Sequence, residues 1–507
     1  MNALLQHTRA LTRRHLLAGS GIGIGAIALR SLLAAESPNA MPRDNPLAPR
    51  AGHHAARAKS VIFLHMAGAP SQVDLFDYKP ELAKLDNQPL PQEYLKGTRF
   101  AFIKGVPKMM PSLFKFQQHG ESGQWISDLL PHFSQVVDKV CVVRSVHTDQ
   151  FNHAPAQLFV HTGNPRLGNP SLGSWVTYGL GTENQDLPGF MVLMSGGKTP
   201  SAGKSLWGTG FLPTVYQGVQ CRTTGDPVLY LSDPPGMDRA LRRQILDTIR
   251  DLNQQEFAQV GDAETLTRIS QYELTYRMQV AVPEVMDITK EPQHILDLYG
   301  AKPGYVSAAD TAGDPRHVHA DNDASFANNC LLARRMVEAG VRFVQLYDWG
   351  WDHHANSKRE SIDEMLPIKT KQIDQAIAGL IQDLDQRGLL DSTLVVWGAE
   401  FGRTPMAQNN NGNNANRKPG YIGRDHHPHG YTMWLAGGGI QGGLAYGATD
   451  EIGYHAAEHP VSHHDLQATI LHQLGLDPYK FSFPYQGLNN RLIGPSDDAR
   501  VLRDILA

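Results

Sequence analysis

The sequence predicts an α/β protein with a mostly parallel central sheet flanked by helices on both faces. Three observations carry that expectation. Short apolar runs rich in β-branched residues read as buried strands. Helical patterns of about 10–20 residues separate them, an alternation that marks βαβ units. The composition is globular, with 41% hydrophobic and 19% charged residues over 507 positions, enough chain to bury a large core.

The elements follow in order. SVIFLHMAGAP (60–70) is an apolar run that ends in a small-residue turn. KVCVVRSVHT (139–148) and LPGFMVLMSGG (187–197) are the second and third strands. GVRFVQLYDWG (340–350), STLVVWGAEFG (392–402) and YTMWLAGGG (431–439) complete the set. NCLLARRMVEAG (329–340) spaces its apolar residues three and four apart and stops at Gly340, and the stretch from Ile368 does the same and stops at Gly388. HDLQATILHQLGL (464–476) is a shorter helix. Residues 198–330 break the rhythm with a Gly/Pro-rich loop and a long helical stretch (238–280), read as an insertion over the active edge of the sheet. QNNNGNNANRKPGYIG (408–423) is an Asn-rich, low-complexity loop.

The N-terminus carries an address. Arg13 and Arg14 precede an apolar Gly/Ala/Leu run broken by Arg30, and small residues follow at Ala34 and Ala35. Residues 1–35 read as a twin-arginine export signal, residues 36–58 as a linker, and residues 59–507 as the folded domain. The expected location is the periplasm or the extracellular space. No other stretch is apolar and long enough to span a bilayer.

Charge excludes one class of partner. The net charge is −4, and the Lys and Arg residues are scattered rather than clustered as a nucleic-acid surface requires. The three cysteines, Cys141, Cys221 and Cys330, are far apart. Their spacing excludes a thiolate zinc site and a disulfide framework, and leaves room for one disulfide at most. Histidine is abundant at 23 residues, and imidazole is the commonest metal ligand.

Four polar clusters follow strands, where α/β sheets collect their chemistry. The first holds His65, Ser71, Asp74 and Asp77. The second holds Thr148, Asp149, Asn152 and His153 at the start of a helical run. The third, YDWGWDHHANS, holds Asp348, Asp352, His353 and His354. The fourth is GAEFGRT with Glu400 and Arg403, followed by GRDHHPHG with Asp425, His426, His427 and His429. Any one of these fits a loop cap. Together they offer Asp, Glu and His to a divalent cation.

The ordered motifs MAGAPSQVDLFDYKP, NHAPAQLFVHTG, GWDHHANS, AEFGRTP, GRDHHPHGYTMWLAGGGIQGG and HHDLQATILHQLGLD resemble the exported bacterial family known as domain of unknown function 1501. The resemblance runs from about residue 59 to residue 480, and that family is itself similar to sulfatases and the alkaline-phosphatase superfamily. Sulfatases carry an Asp pair after the first strand, where this chain has Gly68 and Ala69. They carry C-x-P-S-R followed by T-G. Pro155, Thr162 and Gly163 keep that register, His153 stands at the cysteine that becomes formylglycine, and Ala156 and Gln157 replace the Ser and Arg. Glu400, Phe401 and Gly402 stand at a later Asp, His or Asn, and Gly. DHHAN is similar to the Asp and His that hold the second metal in the phosphatases.

The resemblance implies an exported, metal-dependent hydrolase of a sulfate or phosphate ester that lacks the formylglycine mechanism. It implies Asp352, His354 and His426 as metal ligands, Glu400 as ligand or base, His153 as nucleophile or ligand, and Arg403 as the holder of the anion. Asp348 and Asp74 are further candidate ligands. The expected cofactor is a divalent cation, Zn, Mn or Ca, and the expected substrate a small-molecule or polysaccharide ester. The alternative is a non-catalytic protein on the same scaffold that binds a polysaccharide or a cell surface.

Overall fold

The computed structural model describes residues 45–507, apart from 96–99, 101, 102, 104, 223–226, 229–231, 235, 308–321 and 410–420. The signal-like segment 1–35 and most of the Asn-rich loop lie outside the described residues.

The strands of the central sheet are β1 (Ser60–Ala67), β2 (Val140–His147), β3 (Phe190–Ser195), β4 (Val219–Gln220), β5 (Phe343–Trp349), β6 (Thr393–Gly398), β7 (Tyr431–Ala436), β8 (Ala445–Tyr446) and β9 (Val461–Ser462). They form a nine-stranded sheet in the order β8-β2-β7-β6-β1-β5-β3-β4, with β9 also pairing β2. β1 runs parallel to both β5 and β6. Only β7 is reversed, antiparallel to β2 and β6. Every residue of β1, β6 and β7 is buried. Burial on both faces explains why these strands read as continuous apolar runs rather than alternating ones.

The main helices are α1 (His153–Thr162), α2 (Leu172–Leu180), α3 (Arg239–Val260), α4 (Ala263–Met286), α5 (Ser325–Glu338), α6 (Ile362–Gln386) and α7 (His463–Gln473). Strand alternation sends neighbouring side chains to opposite layers. On β5, Gln345 reaches His161 of α1 at 2.9 Å, whereas Asp348 reaches Lys369 of α6 at 2.7 Å. Helices therefore cover both faces, as expected.

Three sequence expectations change in detail. The helical stretch 238–280 is two helices, because Gly261 (φ 68°) closes α3 and the Asp262 side chain caps α4. That pair does not sit over the carboxyl ends of the strands. Arg277 donates to the Gln185 carbonyl and Arg335 to the Val285 carbonyl. Gln185 and Arg335 precede the starts of β3 and β5, so the pair lies toward the opposite edge. The part of the insertion that reaches the active edge is its loop, where Ala202 N–H donates to Gln157. The described part of the linker is also fixed. His53 N–H donates to Gly475, and Arg57 and Ala58 N–H donate to Gln473, so the segment runs along the domain. All three cysteines are free and buried. No helix among the described residues is long and apolar enough to cross a membrane.

Candidate metal centre

The carboxyl ends of β1, β2, β5 and β6 converge on one group. His153, Asp352, His354 and His426 each offer an atom within 4.8 Å of the others. His153 is the first residue of α1, after β2. Asp352 and His354 lie just past the end of β5. His426 pairs with Arg403 in a short antiparallel ladder (Gly402–Arg403 with His426–His427) that follows β6.

Hydrogen bonds fix each imidazole. His153 Nδ1–H donates to Glu400 Oε1 at 2.6 Å, His354 Nδ1–H to Gln408 Oε1 at 2.8 Å, and His426 Nδ1–H to the Phe151 carbonyl at 2.8 Å. A neutral ring that donates from Nδ1 presents a lone pair at Nε2. The three Nε2 atoms face Asp352. His354 Nε2 lies 2.9 Å, His426 Nε2 3.3 Å and His153 Nε2 3.4 Å from its carboxylate oxygens. The Nε2 atoms of His354 and His426 are only 2.8 Å apart. Buried His153 Nε2 has no hydrogen-bond partner. Two lone pairs in contact and an orphaned third nitrogen beside a carboxylate fit a bound cation. Three imidazoles and one carboxylate form a familiar donor set for a transition metal.

The charges are uneven. Burial opposes charge on His153, but the Asp352 and Glu400 carboxylates on either side of the ring outweigh it and lift its pKa to about 9. Burial pushes His426 down to about 3. Burial works against ionisation of Asp352 and Glu400. The Arg403 guanidinium and the imidazoles hold Asp352 well below the carboxylate range, and His153 and His65 do the same for Glu400. Asp352 is the most exposed member, with 35% of its side chain accessible against 17% for His153. The site therefore opens to solvent at these two residues.

The structure separates the other expected site residues from this group. Asp74 pairs with Arg424 at 2.8 Å, both side chains fully buried, and also accepts from Ser71. Asp348 faces the opposite layer, bound to Lys369, Ser195 and Trp351. Neither joins the cluster. Glu400 stands behind His153, on the nitrogen that faces away from Asp352. Arg403, expected to hold an anion, commits its N–H groups to the carbonyls of Gly68, Ala69 and Arg424, to Asp352 and to His354 Nε2. A guanidinium has five N–H donors, and a cation that took His354 Nε2 would free the one aimed at that nitrogen. Gln408 and the Phe151 carbonyl were not foreseen. A main-chain carbonyl leaves no sequence signal, and Gln408 opens an Asn-rich run that reads as a loop.

Gly68 shows why the first of the expected Asp pair is missing. Its φ is 113°, and a Cβ there would lie 2.7 Å from the Asp352 backbone nitrogen. Gly68→Ala is expected to cost roughly 1–3 kcal/mol and to displace Asp352. Urea unfolding, together with metal content, checks both effects.

An α/β fold with one reversed strand and a three-histidine, one-aspartate cluster at its strand ends defines the class. Residues 58–506 match the family described as Protein of unknown function (DUF1501), and the chain belongs to that family. No curated protein sequence matches it. Solved structures similar to this chain include the PsFucS1 sulfatase from Pseudoalteromonas sp., with 12% identity over 88% of this chain and 73% of that one, TM-score 0.33. Alkaline phosphatase from the Antarctic bacterium TAB5 has 10% identity over 75% and 92%, TM-score 0.29. The phosphonate monoester hydrolase SpPMH from Silicibacter pomeroyi has 11% identity over 89% and 76%, TM-score 0.31.

Proposed function

We propose that the protein is an exported, metal-dependent hydrolase of a sulfate or phosphate ester. The observation that carries this reading is the convergence of three Nε2 lone pairs and Asp352 on one point, each ring fixed by its other nitrogen. His153, Asp352, His354 and His426 would hold the cation. A nitrogen-rich set suits Zn or Mn better than Ca, which takes six to eight oxygens. A divalent cation supplies Lewis acidity and a source of hydroxide at neutral pH.

The chain's own residues favour an anionic substrate. The carboxylates of Asp352 and Glu400 balance a divalent cation, and the Arg403 guanidinium leaves a net positive charge. α1 begins at His153, so the positive end of its dipole and its first N–H groups lie beside the opening. Export rests on Arg13 and Arg14 and the apolar run that follows them.

Metal analysis and a substrate screen test the reading. Purified protein is expected to carry about one cation per chain. It should hydrolyse at least one of a panel of aryl sulfates, phosphates and phosphodiesters, and His153→Ala should abolish that turnover. The cation must also displace a proton, because His153 holds one up to a pH of about 9. Affinity for Mn(II) is therefore expected to rise with pH until about 9, rather than levelling off above the usual imidazole range. Negligible metal in the wild type would end the proposal. Bound metal without turnover would favour a binding protein.

A further inference from the structure

Glu400 is a heavily engaged, fully buried carboxylate behind the site. Its Oε1 accepts from His153 Nδ1–H at 2.6 Å, from Gln157 Nε2–H at 3.0 Å and from Gly68 N–H at 3.1 Å. Its Oε2 faces His65 Nε2 at 3.1 Å, and both side chains are completely buried. Behind His65 the contacts continue inward. His65 Nδ1 lies 3.1 Å from His161 Nε2, and His161 Nδ1 lies 2.9 Å from the Gln345 side-chain amide.

With the Gln345 amide nitrogen turned to His161, one order of neutral tautomers satisfies this chain. The Gln345 amide N–H donates to His161 Nδ1, so His161 carries its proton on Nε2 and donates to His65 Nδ1. His65 then carries its proton on Nε2, turned to Glu400. Burial keeps His161 neutral, as this order requires. The chain ends at Tyr347, which Gln345 also contacts. Tyr347 is wholly buried, so the chain does not open to solvent as a path for protons would. It holds one carboxylate in place.

We infer that His65 and His161 are positioning residues that act through Glu400 to aim His153 Nε2 at Asp352. Glu400 is then not a ligand. Its Oε1 accepts from three N–H groups of the protein, its Oε2 lies within ion-pair range of His65, and one cation completes the site. The inference rests on the metal-site reading for its consequence, but the proton order can be tested without metal.

Two measurements decide it. Long-range proton–nitrogen NMR of the metal-free wild type, assigned with His65→Gln and His161→Gln, is expected to show both His65 and His161 as Nε2–H tautomers. An Nδ1–H tautomer at either position overturns the inference, whatever the protein does with metal. The second is Mn(II) and Zn(II) affinity. His65→Leu, which removes the imidazole facing Glu400 Oε2, is expected to lose about 10- to 100-fold in affinity. His65→Gln, whose amide can present an N–H in its place, should recover most of it. Equal affinity in the wild type and both variants overturns the inference while leaving the metal site standing. A wild type that binds neither ion refutes the role assigned to His153 together with the metal reading, and the tautomers then report on the chain alone.

Discussion

Chelation of the metal-loaded wild type lowers its unfolding temperature by several degrees, whereas His354→Ala and His426→Ala already unfold at the lower temperature and do not respond to chelator. A ligand that binds only the folded state stabilises it by an amount set by its concentration relative to its dissociation constant. At a free cation level about a thousandfold above that constant the gain is about 4 kcal/mol. His354 and His426 supply the two nitrogens that lie 2.8 Å apart. Removing either leaves the other without a partner for a shared cation. Each ring also makes a fixed hydrogen bond through Nδ1, to Gln408 or to Phe151, which is small beside the loss of the cation. Calorimetry of the three proteins with and without EDTA measures this. An identical response to EDTA in wild type and variants would remove the cation from the site.

The second large effect lies outside the cluster. Asp74→Ala strands the Arg424 guanidinium, which is completely buried and bonded to Asp74 and to the carbonyls of Met110, Pro111 and Thr404. Removing one partner of a buried ion pair costs about 3–5 kcal/mol, because the remaining charge stays out of water. The expected result is a large loss of stability in urea with the metal content of the folded fraction unchanged. This pairing separates the two roles open to Asp74 in the sequence. A ligand would lose metal first, and a structural partner loses stability first.

Much of the sheet was legible because burial on both faces leaves unbroken apolar runs, as in SVIFLHMA and TLVVWG. Helix ends were legible where glycine takes a left-handed turn, as at Gly340 and Gly388. Asp352, His354 and His426 were legible as candidates because acids and imidazoles past strand ends are rarely needed for packing. Asp348 was misread although the expected strand, 340–350, already contained it, because the layer it faces depends on the strand's orientation in the sheet. Alternation turns it to the far layer. Asp74 was misread because Arg424, the residue that neutralises it, lies far away in the chain. The tautomers depend on Gln408, Phe151 and Glu400, and no local pattern records which acceptor a ring will find.

The cluster draws on segments from opposite halves of the chain, His153 from one and Asp352, His354 and His426 from the other. An ion shared among them would act as a clasp across a very long loop, formed only after the intervening strands have found their places. Losing the ion would reopen that loop while the sheet keeps its own strand pairing, so the clasp would chiefly slow unfolding rather than decide whether the chain folds.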